Sequence, residues 1–274
     1  MPVYQLRGAA RRVKRRKDRA AVRVPDRRMK TMKARHLPTI GSRYWGLMIL
    51  ASVFGANTGD FCAERLGFGH VAGLPLLLGC LLLIAAGERV DRRPHEGWFW
   101  LAAIVTHAAA TNVGAIGHDL HSRGTLAVGG LALLLVATLA CWHMWRGRRR
   151  PAPASPAAHP LYWWTMLVAG ALGTAMGDDC AWGLGFGSLR AALLLAVPVA
   201  LALLALRGCR PVPLAGYWAA VVEIRAAATA AADFFADGVF GLGLATLVSG
   251  VAFGVALVAT RIPIDGGLRS GEPG

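Results

Sequence analysis

An aromatic-Trp pair followed fifteen residues later by an acid recurs along the chain inside apolar stretches, and this periodicity limits what the chain can fold into. The pairs are Tyr44-Trp45, Phe99-Trp100, Tyr162-Trp163 and Tyr217-Trp218, and the positions fifteen residues after each Trp hold Asp60, Ala115, Asp178 and Asp233. Small residues precede these positions at helical spacing: Gly55 and Gly59, Ala110 and Gly114, Gly173 and Gly177, Ala228 and Ala232. A motif of this length in one register reads as four copies of one unit, and a repeat decides architecture before any local signal does. Three of the four copies keep the carboxylate.

Composition says where such units live. Charged residues make up 16% of the chain, against about 25% in a soluble domain, and the mean hydropathy is +0.47. The apolar residues lie in long runs, which predicts an all-helical, polytopic membrane bundle. Each unit supplies two spans. First spans are expected near 44–63, 98–117, 162–181 and 217–236, and second spans near 69–87, 125–145, 188–206 and 242–260, giving eight transmembrane helices as four parallel two-helix repeats. Short glycine-rich turns join the two spans: Leu66-Gly67-Phe68-Gly69 and Leu184-Gly185-Phe186-Gly187 are nearly identical, Phe240-Gly241-Leu242-Gly243 is related, and the second unit has Ser122-Arg123-Gly124.

The chain therefore divides into a basic tail at 1–42, repeats 1 and 2 at 43–145, a linker at 146–160, repeats 3 and 4 at 161–261 and a C-terminal tail at 262–274. Most of the net charge of +15 sits at the front, where residues 1–43 carry 15 Lys and Arg against Asp18 and Asp26. This tail is expected to be disordered. It suits anionic lipid headgroups; a start codon assigned too early, before Met29 or Met32, explains it equally, and nucleic acid is not an expected partner. Basic residues also fill one set of loops: Arg89, Arg92 and Arg93; Arg146, Arg148, Arg149 and Arg150; Arg207 and Arg210; and Arg261. The positive-inside rule then puts both termini in the cytoplasm of an inner-membrane protein. Cys62 and Cys180 share a register position, which leaves open a disulfide or a soft-metal role beside the simpler one of small hydrophobes.

In these features the chain resembles the bacterial membrane proteins built of four tandem two-helix repeats, each with a characteristic Trp, a family of unknown function. The resemblance covers about 43–261 and rests on the aromatic-Trp pairs, the small-xxx-small-Asp element and the Leu-Gly-Phe-Gly turns. It departs at Ala115 and at Ala228 and Ala232. It implies an architecture and no activity.

Chemistry must come from the polar residues within the spans. Acids in or at the ends of first spans are Asp60, Glu64, Asp119, Asp178, Asp179, Glu223, Asp233 and Asp237. A carboxylate inside a bilayer costs about 2.5–3.5 kcal/mol, so it faces a cavity or a partner. Residues i and i+4 share a helix face, which pairs Asp60 with Glu64 and Asp233 with Asp237. These acids lie toward the outer boundary and can simply anchor helix ends. Alternatively, packing through the small-residue faces brings Asp60, Asp178 and Asp233 together, with Asn57 beside them.

An acidic cluster suits a divalent metal on Asp60, Asp178 and Asp233, a proton relay, or a cationic substrate, with no other cofactor. Glu64, Asp119 and Asp237 would attract the ion at the mouth, and Asp179, the adjacent second acid of the third unit, is a further candidate for ion binding. Arg225 breaks the register shared by Ser52, His107 and Gly170 and demands a counter-charge, for which Asp60 and Asp178 are candidates. His118, Asp119 and His121 form a second possible metal set with Glu64. Asn57 and Asn112, and Thr111, Thr174 and Thr229, suit interhelical hydrogen bonds or a polar path. The chain lacks GxSxG, P-loop and HExxH motifs, so an enzyme is not expected. A transporter of a small cation is the first functional expectation and a non-transporting membrane scaffold or sensor the second.

Overall fold

The computed structural model describes residues 38–91, 95–120, 124–148, 160–209 and 211–261. The basic tail up to residue 37, most of the linker and the C-terminal tail lie outside the described residues, as do the side chains of His118, Asp119 and His121.

Eight long helices and no strand occur among the described residues: α1 (Ser42–Asp60), α2 (Gly69–Val90), α3 (Glu96–Leu120), α4 (Gly124–Arg148), α5 (Pro160–Asp178), α6 (Ser188–Leu206), α7 (Leu214–Phe235) and α8 (Leu242–Ala259). They contain 18 to 25 residues, or about 27–37 Å of rise, enough to cross a hydrocarbon layer. Six are long and apolar enough to do so: the segments Ser42–Arg65, Gly69–Val90, Glu96–Gly117, Leu126–Met144, Ser188–Leu206 and Leu242–Ala259. The other two, α5 and α7, are heavily enclosed by their neighbours, and their small and polar residues pack on protein.

The helices form two concentric shells. The inner ring is α1, α3, α5 and α7, in which each helix packs on the next and α7 closes on α1. The outer helices are displaced by one step: α2 packs on α3, α4 on α5, α6 on α7 and α8 on α1, while contacts between an inner helix and its own hairpin partner are few. Each hairpin thus braces the inner helix of the following one, and α8 locks the last to the first.

Small residues set the ring's diameter. A side chain on Gly55 would come within 2.5 Å of His107 Cβ on α3, and one on Gly59 within 2.7 Å of the Ala108 carbonyl. Gly114 stands in the same way against Thr174 of α5 at 2.7 Å, and Gly177 against the Ala226 carbonyl of α7 at 2.7 Å. Lipid offers no hydrophobic drive for helix association, so the contact energy comes from such close backbone approach. The outer helices face away from the core with Leu and Val: Leu78, Leu82, Leu83, Leu193, Leu201 and Val255 are all exposed.

Three inner helices end in a single wide turn of π-helix, at Phe61–Arg65, Asp179–Gly183 and Ala236–Phe240. Each follows a helix that keeps the acid fifteen residues after its Trp; α3, with Ala115 there, runs on as α-helix to Leu120. The next bend uses glycine where L-residues are disfavoured, with Gly67, Gly69, Gly185 and Gly187 at φ of 72°, 69°, 73° and 75°. The five cysteines are all free, so Cys62 and Cys180 form no disulfide.

Candidate functional site along the ring axis

Residues one before each Trp, and then every fourth position, share one face of each inner helix. The first such layer is Tyr44, Phe99, Tyr162 and Tyr217, all buried. Neighbouring rings in this layer lie 6.2–6.5 Å apart around a closed cycle. The hydroxyls of Tyr44 and Tyr162 meet that of Tyr217 at 2.6 and 2.8 Å. Each Trp lies against the axial ring of the preceding inner helix: Trp100 on Tyr44 at 5.7 Å, Trp163 on Phe99 at 5.7 Å, Trp218 on Tyr162 at 5.5 Å and Trp45 on Tyr217 at 5.6 Å. The recurring pairs therefore close into one aromatic layer across the axis. Next come Met48, Ala103, Met166 and Val221, each fully buried, and these make an apolar layer.

The third layer is Ser52, His107, Gly170 and Arg225, with Ser52, His107 and Arg225 completely buried. Arg225 Nη1 donates to the Ser52 carbonyl at 2.8 Å, and Nη2 donates to Thr111 Oγ1 at 2.9 Å and Thr174 Oγ1 at 2.8 Å. A longer contact of 3.5 Å reaches the His107 carbonyl. One side chain of α7 thus ties together all four inner helices. The small residues make this possible: a side chain at Gly173 would strike Arg225 Cβ directly. The fourth layer holds Thr111, Thr174 and Thr229, and Thr229 Oγ1 donates to Thr174 Oγ1 at 3.3 Å. Arg225 satisfies its fork with neutral oxygens, while Asp60 and Asp178 act on it through space.

Beyond the threonines lie Asp60, Asp178 and Asp233, each partly buried. Asp60 feels the charges of Glu64, Asp178, Asp237 and Arg225, and Asp233 feels those of Asp178, Asp60, Asp237 and Glu64. Five carboxylates from three inner helices and their wide turns thus share one electrostatic neighbourhood, with Glu64 and Asp237 on its exposed rim. Asp179 stands apart, curled over its own wide turn with its carboxylate against Gly183. The side chain of Asp119 is outside the described residues. Among the described residues no three of His, Cys, Asp and Glu stand where they could hold a metal ion, so the carboxylates expected as ligands do not form a closed coordination shell.

Asn57 turns away from the acids toward α8. Its Nδ2 donates to Ser249 Oγ at 3.2 Å and to the Ala245 carbonyl at 3.4 Å, and Thr246 Oγ1 donates to the Asn57 carbonyl at 3.3 Å. Asn112 does the same toward α2, with Oδ1 3.1 Å from His70 Nδ1. These two join inner helix to outer helix; they do not line the axis.

One cluster had no repeat to announce it. Arg43 donates through both terminal nitrogens to Glu96 at 2.7 and 2.8 Å, and Arg261 Nε donates to the same carboxylate at 2.7 Å. Arg43 Nε also donates to Thr260 Oγ1 at 2.9 Å. The clasp fastens the start of α1, the start of α3 and the end of α8. Its sequence signal is an acid in the first turn of α3, at the end of the bundle where most loop arginines lie.

Comparison with protein-family models, with curated proteins and with solved structures gives no match.

Proposed function

We propose that all eight helices cross a bacterial inner membrane as four parallel two-helix repeats, with both termini cytoplasmic, and that the bundle carries a small cation. The acidic end of the axis then faces outward and the aromatic layer inward. The observation that carries this reading is the shared neighbourhood of Asp60, Glu64, Asp178, Asp233 and Asp237 above a buried Arg225. A negative funnel raises the local concentration of cations, and the fixed guanidinium below it sets how deep a cation can travel.

A divalent metal wants six to eight oxygens at close range, so such an ion would have to draw Asp60, Asp178 and Asp233 inward on binding. A hydrated ion, or a proton moving with a solute, needs no such closure. In either case the Met and aromatic layers, which are buried and closed in the described conformation, must part to complete transport.

The filled axis supports the second reading as well: a scaffold or sensor in which the acids respond to external cations and nothing crosses. Ion uptake into vesicles containing purified Asp178→Asn and Asp233→Asn proteins separates the two. A carrier loses flux while still inserting and remaining monodisperse. Undiminished flux in both variants removes the acidic funnel from the mechanism, and no flux from the unaltered protein across a panel of cations favours the scaffold.

A further inference from the structure

We propose that the clasp of Arg43, Glu96 and Arg261 is the headgroup site for one anionic phospholipid, whose acyl chain lies along the exposed face of α8. The inference rests on the membrane placement proposed above and not on transport. Two guanidiniums meet one carboxylate in the clasp, so the cluster keeps one positive charge. Glu96 takes both terminal nitrogens of Arg43 but only Nε of Arg261. The terminal nitrogens of Arg261 have no partner among the described residues, and the side chain is exposed. A guanidinium held by one edge, with the other edge free, presents the donors that a phosphate accepts.

The surface that leads away from this charge is apolar and uncovered. Val258, Val255, Val251 and Leu247 precede Arg261 at intervals of three or four residues, which puts them on one face of α8. All four are exposed. About 15 Å of helix rise separates Arg261 from Val251, half of a hydrocarbon layer of about 30 Å, so a chain anchored at the arginines ends near Val251. An open apolar groove begins there, lined by Phe54 and Phe61 of α1 and by Thr246, Leu247, Gly250 and Val251 of α8. Glycine shapes this track. A Cβ on Gly250 would come within 2.9 Å of the Phe54 ring, and one on Gly254 would meet nothing within 4 Å.

Charge complementarity and the apolar track together select the occupant. Basic residues at a membrane surface favour anionic lipid, and residues 247–259 contain no charged side chain to interrupt the path from the arginines. A free phosphate would use the arginines alone, whereas a phospholipid uses both the arginines and the exposed face. The basic tail can draw anionic lipid by charge only. The clasp instead fixes two guanidiniums at the head of one chain track, which calls for a single lipid in a defined place. Its residues and the sign of its ligand both differ from those of the acidic funnel.

The test counts the lipids retained by the purified full chain in native mass spectrometry, from neutral-detergent micelles doped with dipalmitoyl phosphatidylglycerol or dipalmitoyl phosphatidylcholine. The expected result is one phosphatidylglycerol held in preference to phosphatidylcholine. Arg261→Gln should weaken that binding about fivefold, while Arg207→Gln, which removes an exposed basic residue at the end of α6, should leave it unchanged. Dihexanoyl phosphatidylglycerol keeps the phosphate but cannot reach Val251, and should bind weaker on the order of tenfold or more. Unfolding temperature in neutral detergent, measured for each variant, separates loss of the site from loss of the fold. Equal retention of the two palmitoyl lipids overturns the proposal, as does a folded Arg261→Gln chain that still prefers phosphatidylglycerol as strongly as the unaltered one, which leaves the basic tail as the lipid contact. Short-chain lipid bound as tightly as long-chain lipid overturns it in favour of a phosphate site. A chain that stays soluble without detergent would instead sink the membrane placement on which the site rests.

Discussion

Gly173→Ala is the sharpest test of how the inner ring is held. The added Cβ would lie 2.6 Å from the Val222 carbonyl and 3.0 Å from the Ala226 nitrogen, and would overlap Arg225 Cβ. Restoring a 3.4 Å contact to the carbonyl requires α5 and α7 to part by about 0.8 Å. Both obstructions on the α7 side of the backbone are rigid, so no rotamer change relieves them. Overpacking of this kind costs about 1–3 kcal/mol. The same substitution also contributes about 1 kcal/mol through helix propensity, so it needs a matched control.

Gly129 supplies one. It lies within α4, is exposed, and has nothing within 4 Å of its would-be Cβ. Gly129→Ala collects the propensity gain alone. The difference between the two variants is then about 1–3 kcal/mol, which in a chain of this size moves the unfolding temperature by about 2–12 °C. Thermal unfolding of both proteins in one detergent measures it. If Gly173→Ala unfolds at the same temperature as Gly129→Ala, or above it, close backbone approach does not set the ring's spacing and the layered axis loses its physical basis.

Three further outcomes follow from the same packing. Arg225→Lys should destabilise more than Arg225→Met in denaturant titrations, because an ammonium cannot reach Ser52, Thr111 and Thr174 together, whereas an apolar side chain abolishes the buried charge; the reverse order would refute the assigned fork. Tyr217→Phe removes the 2.6 and 2.8 Å hydroxyl contacts to Tyr44 and Tyr162 and should cost about 1–3 kcal/mol by thermal unfolding; an unchanged unfolding temperature would remove the hydroxyl trio from the packing of the ring. Glu96→Gln should lower stability by about 1 kcal/mol in low salt and by less in high salt, because its two arginine partners are part-exposed and screened; an effect independent of salt would remove the clasp.

Helix positions were legible because hydropathy and glycine punctuation are local signals. The span expected at 188–206 is α6 to the residue, and those expected at 69–87 and 242–260 differ from α2 and α8 by three residues or fewer. The small-residue stripe also carried over, since Gly55, Gly59, Gly173 and Gly177 owe their identity to the neighbour they touch. What the sequence could not supply was the partner of each face. A Tyr-Trp dipeptide at a span end fits the lipid boundary as well as a core, and only ring closure turns Tyr44 and Tyr217 inward. Asn57 and Asn112, in matching register, suited interhelical hydrogen bonds or a polar path, and they make the former, to α8 and α2; which helices they reach was not legible, because the one-step displacement of the outer helices is invisible along the chain. Arg225 was conspicuous as a break in register, but its neutral partners were not, since carbonyl oxygens have no sequence signature.

The four inner helices are not equivalent, and their differences fall into a pattern. The helix that lacks the axial acid, α3, also lacks the Tyr hydroxyl and the wide terminal turn, with Phe99 and Ala115 in those places. It supplies instead His107 and Thr111, both of which meet Arg225. The helix opposite α1 in the ring, α5, carries Gly170 in that layer, where an added Cβ would come within 2.7 Å of Ala110 Cβ on α3. A ring of four identical helices would place four acids in one layer and nothing charged beneath them, with mutual repulsion unrelieved. Removing one acid and adding one buried arginine changes the axial balance from four negative charges to three negative and one positive. The positive charge is placed about two turns from the aromatic layer and about two from the acids, between the apolar half of the axis and its acidic half. The differences among the inner helices thus fall where four acids over an uncharged ring would repel one another unrelieved, and the aromatic layer, which carries no charge, is where the four helices are most alike.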